Sequence, residues 1–207
     1  MPEPERKLEN YDRVLVVEGY SDLLFYAEML EEVGKQDSVF IKDLGGRDGV
    51  RTKLDAFITP VLLNAKVAIG FLFDADANPQ ATTDSLQRLL SALTRQAVVN
   101  GQWTNGRPRI GLMVVPGPQS PGEIETLVWQ SWSADPANAP QRACVDTYVN
   151  CMRGHGFTAH SPDKGLIGTL LAILSDEDPR LGPGARDNVF DLHSPQLQPL
   201  RNFLTAF

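Results

Sequence analysis

Three carboxylates stand where two apolar runs end. Val14-Leu15-Val16-Val17 leads into Glu18-Gly19, and Ala68-Ile69-Gly70-Phe71-Leu72-Phe73 leads into Asp74-Ala75-Asp76. Unbroken aliphatic and β-branched runs of this length read as strands buried on both faces, as in parallel sheets. Each acid therefore sits where its strand leaves the core, the edge at which open α/β sheets hold ligands. On neighbouring strands, Glu18, Asp74 and Asp76 face one crevice. Their mutual repulsion there favours a divalent cation as counter-charge.

Four more residues carry two readings each. Asp22, four after Glu18, is either a further ligand or a first-turn acid that suits a helix dipole. Glu123 and Glu125 follow the Ile110–Val115 run and a Pro/Gly-rich turn, and acids at a helix start need no other duty. Lys164, just inside a helix start, works against the dipole, so it is either a surface lysine or wanted by something else. An eighth position, Arg47 in Leu44-Gly45-Gly46-Arg47-Asp48-Gly49, suits an anion such as a nucleic-acid phosphate near a helix start, and suits a plain flexible turn equally well.

The Glu after the first strand and the Asp-x-Asp after a later one resemble the signature of the Toprim (topoisomerase-primase) domain. The longer set, with Asp22, Glu123, Glu125 and Lys164, resembles the nuclease Toprim of the overcoming-lysogenisation-defect (OLD) family and short stand-alone Toprim proteins, over roughly residues 12–175. The resemblance implies metal ligands at Glu18, Asp22, Asp74, Asp76, Glu123 and Glu125, with Mg²⁺ or Mn²⁺ as cofactor. It also implies catalytic roles for Glu18, Asp74 and Asp76, and for Lys164 a use in stabilising phosphate charge in the transition state. Family members carry an acid best matched by Glu125, whereas OLD nucleases have a small polar residue where this chain has Glu123. The implied activity is phosphodiester cleavage of nucleic acid, DNA before RNA. Because OLD proteins fuse an ATPase to the Toprim and this sequence contains no Walker A motif, the alternative is a non-catalytic Toprim-like subunit that binds a separate ATPase in a phage-defence assembly.

Rival readings of the acids fail on their surroundings. Asp74-Ala75-Asp76-Ala77-Asn78 opens like a calcium loop, but Pro79 replaces the turn glycine and Ser85 the bidentate Glu. A haloacid-dehalogenase phosphatase would need a Gly-Thr type continuation and has no place for Glu18. An Asp-x-Asp glycosyltransferase would need a longer sugar-nucleotide region before it. His155, His160 and His193 lack zinc spacing, and topoisomerases and primases need further modules.

Positioning these residues calls for an α/β chain: a Toprim-like Rossmannoid core with a mainly parallel four-stranded sheet flanked by helices, and a helical C-terminal elaboration. Strands are expected at 13–17, 38–42, 66–73 and 110–115. Helices are expected at 22–33 with Ser21 as cap, 50–64, 82–99, 123–132, 140–154, 162–174 and 195–206, with a hairpin turn at Asn105-Gly106. The 207 residues read as one domain, core about 12–135 and elaboration about 136–207. A net charge of −7 argues against a high-affinity nucleic-acid binder acting alone, although metal-bound carboxylates count in that total. No apolar run suits a membrane span or export, which points to the cytoplasm. Cys144 and Cys151, seven apart in one helix and about 10 Å along its axis, cannot pair with each other and read as half-buried helix residues.

Overall fold

The computed structural model describes residues 7–46, 48–159, 161–175 and 178–207. Residues 1–6, Arg47, His160 and the Asp176-Glu177 pair lie outside the described residues. Five strands, β1 (Arg13–Val17), β2 (Val39–Asp43), β3 (Ala68–Asp74), β4 (Gln102–Trp103) and β5 (Arg109–Val115), form one sheet in the order β2-β1-β3-β5-β4. Four run parallel, and β4 is antiparallel to β5. The fold is thus α/β with a mostly parallel sheet, and its strand count corrects the expected four. Trp103 pairs with Gly111 at the sheet edge, and Thr104 holds Ile110 through both its amide and its hydroxyl. Residues 105–108 close this hairpin as a longer bend in place of a tight Asn105-Gly106 turn.

The helices are α1 (Tyr20–Glu32), α2 (Val50–Phe57), α3 (Pro60–Ala65), α4 (Pro79–Thr94), α5 (Ile124–Ser133), α6 (Ala139–Gly154), α7 (Pro162–Leu174), α8 (Leu181–Arg186) and α9 (Gln198–Thr205). Alternate strand side chains go to opposite faces. Leu15 and Val17 pack with α1, α5, α7, α8 and α9, while Val14 and Val16 pack with α2, α3 and α4. Both faces are covered, which is why the strands read as continuous apolar runs. No helix of the described residues is long and apolar enough to cross a membrane.

Several boundaries differ from the sequence reading, each for a local reason. The expected 50–64 helix breaks before Pro60, where Thr59 Oγ1 accepts the Leu62 amide at 3.2 Å and Pro60 occupies a first-turn position that needs no donor. The expected 82–99 helix starts earlier, capped by Asn78, and stops when Arg95 turns left-handed. Helix α8 lies in a stretch read as a Gly/Pro connection; its glycines allow close packing, since a Cβ at Gly182 or Gly184 would strike Leu24 or Leu171 at about 2.5 Å. Cys144 and Cys151 are exposed, not half-buried, because α6 lies outside α7 and buries only Val145.

The connections set the place of the site. From β1 the chain crosses to β2 on one side and then returns to β3 on the other. The reversal falls between β1 and β3, and the crevice of such a sheet opens above the C-terminal ends of that strand pair.

Candidate functional site

Val17 of β1 lies opposite Leu72 of β3, so both strands release the chain at one edge. Glu18 follows β1, Asp74 ends β3, and Asp76 stands two residues on at φ 56°. That left-handed residue folds the chain back against the loop after β5, where Asp76 and Gly122 exchange backbone hydrogen bonds of 2.9 and 2.8 Å. Glu18, Asp74 and Asp76 line one cleft of about 380 Å³, walled by α2 and α4.

A second group adjoins the first. Asp74, only 9% exposed, accepts the Ile124 amide at 3.0 Å through Oδ1, which ties β3 to the start of α5. Burial pushes the Asp74 carboxyl well above the usual carboxylate range, and the charges of Asp22, Glu18, Glu125 and Glu123 push the same way. Glu123 is the N-cap of α5, and Glu125, 6% exposed, lies in its first turn. Lys164 reaches in from the first turn of α7, with Nζ 2.7 Å from Glu123 Oε2 and 3.9 Å from Glu125 Oε1. The other Glu125 oxygen, Oε2, is buried without a hydrogen-bond partner. Burial raises Glu125 to about 7 against the opposing pull of Lys164. For Lys164 itself burial acts downward, but the hydrogen bond to Glu123 and the charges of Glu125, Glu123 and Asp74 together hold its pKa above the ordinary value.

Asp22 belongs to both groups. Its Oδ2 accepts the Gly19 amide at 2.9 Å, so Asp22 closes the start of α1 from Gly19, and the helix begins at Tyr20 without Ser21 as its cap. Burial raises its pKa; Gly19 and Lys164 oppose, while Glu123 and Asp43 add to the rise. Gly19 itself is extended, and a Cβ there would meet only Asp22 Oδ2, at an ordinary 3.5 Å.

The donor set is all oxygen, crowded and partly desolvated, with one buried carboxylate oxygen lacking a donor. Hard divalent cations suit that chemistry. As the side chains stand, no three His, Cys, Asp or Glu among the described residues are arranged to hold one ion. The residues fit a cation by type and proximity, and closing round one requires side-chain rotation. Lys164 supplies positive charge to the Glu123 and Glu125 side of the cluster.

A family described as "Protein of unknown function (DUF3226)" matches residues 12–207. The chain belongs to this family. No curated protein and no solved structure matches it. The matched span holds every site residue named above, from Glu18 to Lys164, together with the whole sheet. A functional argument for this family member therefore rests on the site itself.

The site also contains residues the sequence reading passed over. Thr126 Oγ1 accepts the Glu123 amide at 3.1 Å and donates to Asp163 Oδ2 at 2.5 Å, linking the starts of α5 and α7 beside Lys164. The only sequence signal was Thr126 three residues after the Glu123 cap. From α2, Arg51 lines the cleft, and from α4, Ser85 does so. Arg51 could have been suspected as a cation in a helix first turn with no acid to balance it. Arg47, the sequence-stated anion contact, lies outside the described residues.

Proposed function

We propose that this protein is a divalent-metal-dependent phosphodiester-cleaving enzyme, a nuclease of the Toprim/OLD type. The observation that carries the reading is the lining of one cleft by Glu18, Asp74 and Asp76 at the switch point of a parallel sheet. Mg²⁺ or Mn²⁺ bound there would activate water and steady the leaving oxygen of an in-line displacement. Glu18, Asp74 and Asp76 are the residues to hold it, with Asp22, Glu123 and Glu125 adjoining. Lys164 keeps its proton at neutral pH and stands beside Glu123 and Glu125, where it can offset charge that develops on phosphate oxygens. The acidic cleft attracts no polyanion by itself, and a bound divalent ion would offset two of its negative charges.

The test is cleavage of plasmid, linear and single-stranded DNA, and of RNA, with Mg²⁺, Mn²⁺ or Ca²⁺, beside Asp74→Ala. Metal-dependent cleavage by the wild type that Asp74→Ala abolishes is the expected result. Equal residual cleavage by both proteins would assign the activity to a contaminant and sink the reading.

A second reading has its own observation. Four of the seven exposed large apolar side chains among the described residues, Tyr148, Phe157, Ile173 and Leu174, lie on or beside α6 and α7. A face of this kind suits a protein partner, and the OLD resemblance suggests a separately encoded ATPase. Under this reading the chain is a Toprim-like subunit that is silent without that partner.

A further inference from the structure

The walls of the carboxylate cleft have a chemistry different from its floor. Arg51 lines it from α2 and is exposed, and its side chain makes no hydrogen bond or ion pair with any described residue. An arginine beside three carboxylates yet unpaired with them is free to meet a ligand. Its planar fork of donors matches a phosphate in two-point contact. Next to it Val50, and from α4 Leu86 and Leu89, give the cleft an apolar flank. One side of the cleft therefore offers carboxylates for a cation, and another offers a fixed positive charge beside aliphatic surface.

These surfaces match the parts of a nucleotide: phosphate for the cation and Arg51, sugar and base for the aliphatic flank. The volume, about 380 Å³, lies at the small end of the roughly 300–1,000 Å³ typical of small-ligand sites. That volume matches one such unit. A single strand also asks less of an acidic protein, because its charge density and counterion release are lower than those of a duplex.

We infer that the cleft binds one nucleotide unit of a flexible single strand, with Arg51 on its phosphate and the Val50–Leu89 flank against its sugar and base. The inference rests on the phosphodiester reading for its ligand class, and it adds substrate form and the residues that select it. Arg51 is a binding residue, distinct from the carboxylates that would hold a cation.

The test is fluorescence anisotropy of a labelled 12-nucleotide single strand and the matching duplex, each with the full chain in Ca²⁺ over a salt series. The single strand should bind at least tenfold more tightly than the duplex. Arg51→Gln should weaken it by about tenfold and reduce the log–log salt slope by about 0.7. Arg51→Lys should restore most of the slope and only part of the affinity. Leu89→Ala should weaken binding with the slope unchanged, a split that a general loss of fold would not give. Equal or tighter duplex binding, or Arg51→Gln with wild-type affinity and slope, overturns the inference. Hydrolysis of bis(p-nitrophenyl) phosphate in Mn²⁺ separates the two ideas. Hydrolysis without strand binding keeps the phosphodiesterase and removes the nucleotide cleft. Strand binding through Arg51 without hydrolysis of any substrate does the reverse.

Discussion

Glu125 and Asp74 are buried acids held close to other acids, and that has a consequence for stability. With a folded pKa of about 7 against an ordinary 4.5, Glu125 binds its proton more tightly in the native state. Unfolding free energy therefore falls as pH rises through that window, by on the order of 3 kcal/mol for a shift of this size. Asp74 and Asp22, also raised, act in the same direction. The contribution of Lys164, whose pKa is raised, stays complete at neutral pH and is lost only in strong alkali. Without divalent ions the melting temperature should be highest near pH 5 and decline toward pH 8. Glu125→Gln should remove much of that decline and exceed the wild type at pH 8; a flat wild-type profile would mean that these carboxyls are solvated. Under the proposed function, Lys164→Ala should cut cleavage far more than it changes Mn²⁺ affinity, because its charge would count most in the transition state. Asp76→Ala should weaken both. Lys164→Arg, measured for rate and melting alongside, separates loss of charge from loss of fold. Glu18, Asp74 and Asp76 were legible in the sequence because each closes an apolar run. Burial of Glu125 and its approach to Lys164 were not, since they depend on where α7 lands after thirty or more intervening residues.

Among the elements, the start of α5 is the joint that holds the site together. Asp74 caps it from β3, Asp76 and Gly122 pair beside it, and Thr126 ties it to Asp163 of α7. Gly122 sits at φ 130°, and a Cβ there would lie 2.3 Å from Thr126 Oγ1. Gly122→Ala should therefore lower stability by roughly 2 kcal/mol or more and displace Glu123 and Glu125, with cleavage falling further than stability alone explains. Gly154→Ala is the contrasting case. Gly154 ends α6 with open space around it, so alanine there should be neutral or stabilising by about 0.5–1 kcal/mol. Strands β1, β3 and β5 were legible because burial on both faces imposes a signal at nearly every residue, whereas the two-residue, partly exposed β4 carries no such run. The joint was hidden because one turn of capping residues looks like any other helix start. The Thr59-Pro60 break was readable from local chemistry, whereas α8 was not, because its glycines answer to the packing of Leu24 and Leu171, distant in sequence.

At the scale of the whole molecule, the sheet directs its acids to one edge, and the outer helices present a different surface on α6 and α7. Burial of only Val145 from the sixteen residues of α6 is little return for ordering a helix if that face stays in water, since packing of an apolar face supplies most helical stability in proteins. Ile173, 79% exposed, is the sharpest probe of that surface. Ile173→Asp removes no core contact, so its melting temperature should match the wild type, as for ordinary surface changes within about 0.5 kcal/mol. If the chain acts with a separately encoded ATPase through α6 and α7, co-expression and gel filtration should yield a complex with the wild type and none with Ile173→Asp. Divalent-dependent cleavage by the isolated variant should be unchanged, because Ile173 lies near the end of α7 remote from Lys164 in its first turn. A complex that survives Ile173→Asp would place the contact elsewhere on the molecule. Wild-type cleavage at full rate without the ATPase would remove the reason to invoke a silent subunit, and would leave the carboxylate edge as sufficient for the chemistry.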